Sequence, residues 1–75
     1  LYSIKIADFY YKDSAKIMVE RIVNETNLKK PFIKKITNTK YRVLLGPFND
    51  INQLEKSFNE IKSLNFENLE ILKNV

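Results

Sequence analysis

Seventy-five residues make one small domain, 1–75, with a core of marginal size. The chain has no cysteine and no histidine, which excludes disulfides, most zinc sites and catalysis by either side chain. Lysine and arginine number 13 against 9 acidic residues, so the favoured partner is anionic or neutral, although an AT-rich genome would enrich lysine in the same way. A 44% hydrophobic and 29% charged composition is that of a globular chain, not a disordered one. No apolar run approaches the roughly 18 residues of a membrane span, and no signal peptide is visible. A start at Leu1 suggests a piece of a longer protein whose targeting signal lies elsewhere.

In chain order, residues 2–7 alternate. Tyr2, Ile4 and Ile6 take one face and Ser3 and Lys5 the other, as in a half-buried strand. Over about 13–26, Ala15, Met18, Val19 and Ile22 fall on one helical face, with Asp13 or Ser14 as cap. "PFIKKI" (31–36) reads as a second strand whose apolar residues fit either alternation. Lys34 and Lys35 there suit edge protection, and "KK" at 29–30 reads as loop. "TNT" (37–39) is the turn of a hairpin into the third strand. There Tyr41, Val43 and Leu45 point inward and Arg42 and Leu44 outward. Over about 50–64, Ile51, Leu54, Phe58, Ile61 and Leu64 form a second apolar helical face, and "DINQ" (50–53) has the form of a capping box with aspartate first. "NLEIL" (68–72) is the last strand.

The chain also repeats itself at an offset of 39. "YSIKIADF" (2–9) aligns with "YRVLLGPF" (41–48), and Ala15, Val19 and Ile22 align with Leu54, Phe58 and Ile61. Two strand–helix units, each followed by a strand, give an α+β fold of order βαββαβ. This is the ferredoxin-like or RNP-like plan: a four-stranded antiparallel sheet, both helices on one face, the first and third strands central. Lys5 and Arg42 then lie in the middle of the uncovered face. Ala7, the partner of Gly46 in the repeat, argues for small size there rather than for a positive φ. Pro47 is expected to hold Gly46 extended. Phe9 and Phe48 either fold under the helices or rim the open face, and one of Tyr10 and Tyr11 is expected at that rim.

These residues resemble a SPOR domain, the peptidoglycan-binding module of bacterial cell-division and wall-remodelling proteins. "RVLLGPF" matches the family's R–V–x–x–G–P strand, and "YSIKIADF" matches its aromatic–V–Q–x–G–S–F strand more loosely. The resemblance covers essentially the whole chain, through "SLNFENLEIL" (63–72). The general look is nearest the module that ends rare lipoprotein A-type proteins.

The resemblance implies a non-catalytic module in the periplasm or cell envelope of a bacterium. It would bind glycan strands that lack stem peptides, and so direct its parent protein to the division septum. Any lytic transglycosylase-like activity would belong to another part of that parent. Carried over by motif, the glycan-binding residues are Lys5 at the family's glutamine, Asp8 at its serine, Phe9 at its phenylalanine and Arg42 at its arginine. Lys40, two residues before Arg42, and Glu70, on the last strand, complete the set. Lysine in place of an amide donates only, and Asp8 puts a charge where the family has a hydroxyl.

The chemistry is coherent without the family. A stripped glycan is a polyanion of lactyl carboxylates covered with hydroxyls and amides. Arg42 offers a planar fork for a carboxylate and Lys5 a mobile charge beside it. Phe9 could stack on a sugar, and Leu44 could floor a shallow groove. A monomer with no metal or cofactor and no membrane contact of its own meets these expectations. The alternative is an RNA-binding module of the same topology. The outward positions of the central strands, Ser3, Lys5, Arg42 and Leu44, carry no aromatic, and "KYRVLLGPF" lacks the RNA-recognition signature, so nucleic acid is not the expected partner. No convergent carboxylate pair or phosphate loop supports an enzyme.

Overall fold

The computed structural model describes residues 1–73. The elements are β1 (Tyr2–Phe9), α1 (Lys12–Glu25), β2 (Phe32–Thr37), β3 (Lys40–Phe48), α2 (Ile51–Lys62) and β4 (Glu70–Lys73). The four strands form one antiparallel sheet in the order β2-β3-β1-β4. The arrangement is therefore the βαββαβ α+β fold read from the repeat, with β1 and β3 central.

The amphipathic periods explain the packing. Ala15, Val19 and Ile22 of α1 and Leu54 and Ile61 of α2 are buried. They join Ile4, Ile6, Val43 and Leu45 of the central strands in one core. Met18, Phe58 and Leu64 pack at its margin, while Ile51 remains exposed. Asp50 caps α2 by accepting from the Asn52 N–H at 2.8 Å. Helix α1 starts earlier than predicted, with Tyr11 at the cap position and no side-chain cap bond. Asp13 instead lies in the first turn, where its charge complements the helix dipole. Arg21 of α1 secures the stretch after α2. Its guanidinium stands 5.1 Å from the centre of the Phe66 ring, and its Nη2 donates to the Leu64 carbonyl.

Each of the first three strands carries one residue too many for simple alternation. In β1, Lys5 pairs with Leu44 and Ala7 with Val43, so Ile6 is extra. In β2, Lys35 pairs with Tyr41 and Thr37 with Lys40, so Ile36 is extra. In β3, Ile4 pairs with Leu45 and Tyr2 with Phe48, so Gly46 and Pro47 together face Ser3. These are β-bulges, which re-aim the side chains that follow them.

The third bulge corrects the expectation for Gly46. Its φ is +122°, and the Gly46–Pro47 peptide is cis, so Pro47 does not hold it in an ordinary extended conformation. A Cβ there would stand 3.1 Å from the Tyr2 carbonyl oxygen and 3.2 Å from Ser3 Oγ. Ala7, its repeat partner, has no positive φ. The two copies share the small residue but not the backbone conformation.

Candidate functional site

The helices cover one face of the sheet, and the other carries Lys5, Asp8, Arg42, Leu44 and Glu70. Pairing fixes their positions. One row across the strands runs Phe32, Leu44, Lys5, Glu70, and the next runs Lys34, Arg42, Asp8. The bulge at Ile6 is what puts Asp8 there. Strict alternation from Lys5 would turn residue 8 toward the helices; the extra residue places Lys5 and Asp8 on the same face, three apart.

Asp8 and Arg42 meet across the two central strands. Arg42 Nε donates to Oδ1 at 2.8 Å and Nη2 donates to Oδ2 at 3.1 Å, the two-bond geometry that suits a guanidinium. Lys5 Nζ lies 3.3 Å from Asp8 Oδ2. All three side chains are about one-fifth exposed, at 22% each. The carboxylate that the sequence reading drew from a ligand is thus supplied to one edge of the arginine by the protein itself. Its end-on edge, Nη1 with the second Nη2 hydrogen, is not part of that bond.

The hydrogen bonds from Arg42 hold the Asp8 carboxyl below its ordinary value of 3.8, with Lys5 adding to the effect against a partial opposing cost of burial. The Arg42 guanidinium is held above its ordinary range by Asp8, with a smaller contribution from the Glu70 charge. A lowered carboxyl contributes stability that is complete above the unfolded value and is lost as pH falls through the folded one. The charged groups facing Asp8 are Lys5 on its own strand and Arg42 on β3, with Lys34 one strand further out on β2 and Glu70 on the adjoining β4, opposite Lys5. Of these four, Glu70 is the one carboxylate. We therefore expect the stability advantage of the wild type over Asp8→Asn to shrink steadily from pH 5 to pH 2. Urea midpoints across that range, with Glu70→Gln in both backgrounds, check it. A constant difference would contradict the pairing.

The other predicted residues are distributed as follows. Lys40 is exposed at the hairpin end of β3, and Glu70 is exposed opposite Lys5. Phe9 pairs with Tyr41 and packs against the core, as does Phe48, so neither ring belongs to the open face. Leu44 is the clear correction. It lies on the open face, yet it is fully buried at 0% exposure, and it stands outside the helix-side core. A central position on a sheet is flanked on both sides. Phe32 and Lys5 are its cross-strand neighbours and Arg42 is two residues along, so a ring and two aliphatic stems are placed to cover it. It is a small second core, not the floor of a groove. Tyr10 and Tyr11 are both exposed and contact each other edge to face.

Two residues of this face escaped the sequence reading. Phe32, 38% exposed, and Lys34 lie there because Ile33 packs toward the helices. Counting back from the turn would have assigned the opposite faces, since the extra residue at Ile36 reverses the order. Two clefts of about 430 and 600 Å³ lie against the helices, and none of the seven candidate residues lines either. The six candidates other than Phe9 therefore lie away from both clefts, although Phe32 borders the larger one. Among the described residues, no cluster of three or more acidic groups could hold a metal ion, and no helix is long and apolar enough to cross a membrane.

No family model matches the chain, and neither does any curated protein or solved structure.

Proposed function

We propose that this domain is a non-catalytic glycan-binding module that recognises peptidoglycan strands lacking stem peptides through the open face of its sheet. The observation that carries this reading is the face itself. The helices leave it uncovered, and Arg42 sits at its centre in the "RVLLGPF" strand, with Lys5 and Lys34 in the rows beside it. A polar sheet face away from the clefts suits an extended polymer better than a small molecule, which needs concave walls to bury it. Phe32 and the stem of Lys5 over Leu44 provide apolar area for the face of a sugar ring. The charged rows provide hydrogen-bond donors and acceptors for hydroxyls and amides. By resemblance, the parent protein would act at the division septum or elsewhere in the bacterial cell envelope.

The test is co-sedimentation with cell-wall sacculi, either intact or stripped of stem peptides by an amidase. The domain should pellet preferentially with stripped walls. Arg42→Ala should weaken that retention about tenfold, the equivalent of about 1.4 kcal/mol, with folding checked by circular dichroism. Absence of pelleting with either preparation would defeat the reading. Steeply salt-dependent binding to single-stranded RNA would then favour the nucleic-acid alternative.

A further inference from the structure

We infer that Asp8 is a specificity-determining residue of the open face, and that it makes the face a reader of neutral sugar groups rather than of the glycan's carboxylates. This rests on the glycan-binding reading above and concerns which part of the polymer is recognised.

The argument is one of occupancy and charge. The two cations of the central strands, Lys5 and Arg42, are the groups that would attract a lactyl carboxylate. One aspartate engages both. It occupies the Nε–Nη2 edge of Arg42 with bonds of 2.8 and 3.1 Å and lies 3.3 Å from Lys5 Nζ. The central trio therefore carries one net positive charge instead of two. Glu70, directly across from Lys5, offsets that remaining charge of the trio, leaving Lys34 on the edge strand as the further cation of the two rows. An incoming carboxylate must approach a site where an internal carboxylate already sits, at the cost of like-charge repulsion in a partly desolvated setting. A hydroxyl or acetamido group meets no such opposition. It can accept from the free end-on edge of Arg42 and donate to Asp8 or Glu70. On this view, stripped strands are preferred because stem peptides prevent the sheet face from approaching the sugar backbone. The freed carboxylate is not what is recognised.

The experiment uses one polymer in two charge states: stripped glycan strands, and the same strands with their lactyl carboxylates converted to methylamides. The intact domain should bind both with affinities within about threefold of each other. Asp8→Asn should shift the ratio toward the carboxylate form by about three- to tenfold, the size expected for removing one charge at a partly exposed site. Lys5→Gln should shift it the other way. The carboxylate preference of Asp8→Asn should also fall more steeply with salt, an effect that simple structural damage would not produce. Asp8→Ser, which keeps a small polar group, should reproduce the shift if Asp8→Asn folds poorly.

A wild type that loses most of its binding on amidation, or an unchanged ratio in both Asp8 variants, would overturn the inference while leaving the glycan reading intact. If the wild type binds neither strand, the glycan reading fails. Retention on a poly-glutamate column then decides the charge argument: a gain in Asp8→Asn supports it, and no gain overturns it.

Discussion

Leu44→Ala should destabilise the domain by about 3 kcal/mol, within the range for deleting a buried leucine side chain down to its Cβ. The side chain is fully buried. Its cross-strand neighbours are Phe32 on the edge strand and Lys5 on β1. A domain of this length has a total stability on the order of 5 kcal/mol, so most of it would be lost. Urea denaturation gives the measurement. With a slope of about 1 kcal/mol per molar, the midpoint should fall by about 3 M. A leucine exposed as a sugar platform would behave differently, with a stability change within about 0.5 kcal/mol and the whole effect appearing in binding. A small stability change would therefore restore Leu44 to the ligand surface.

Gly46→Ala should cost about 2 kcal/mol, in the range for forcing a side chain into a backbone region reserved for glycine. Two effects act together. At φ +122° any Cβ is strained. The new atom would also stand 3.1 Å from the Tyr2 carbonyl oxygen and 3.3 Å from the Phe48 ring. The carbonyl belongs to a central strand and has little freedom to move. The internal comparison is Ala7→Gly at the repeat-equivalent position, which should cost only about 0.5–1 kcal/mol through chain entropy. Equal losses from the two substitutions would show that the repeat governs both positions alike, contrary to their backbone conformations.

The fold was legible because its signals are redundant. The offset of 39 aligns Ile4 with Val43 and Ile22 with Ile61, and all four are core residues. Helical periodicity marks α1 and α2 independently of that alignment, and the turn at 38–39 separates β2 from β3. The face was legible at Lys5 and Arg42, where alternation had not yet been interrupted. Beyond them the sequence is a poor guide. An extra residue in a strand has no residue signature, so Phe32 and Lys34 could not be assigned, and the approach of Asp8 to Arg42 could not be anticipated. Leu44 failed for another reason: outward direction was equated with exposure, whereas a central strand is covered by its own neighbours. Gly46 failed because similarity between repeats reports side-chain size and not backbone angle.

The bulge at Ile6 has the character of a frameshift. Downstream of it, the side chains of β1 are read in the opposite phase. Phe9 is delivered to the helices and Asp8 to the surface. Were the same residues to run in strict alternation with no bulge, the ring would face outward and the carboxylate would turn toward the helices. The bulge thus decides whether this surface addresses its partner with an aromatic ring or with a neutralised ion pair. Ligand preference on this scaffold can consequently change with the presence or absence of a bulge, with no change in the kinds of residue that the strand contains.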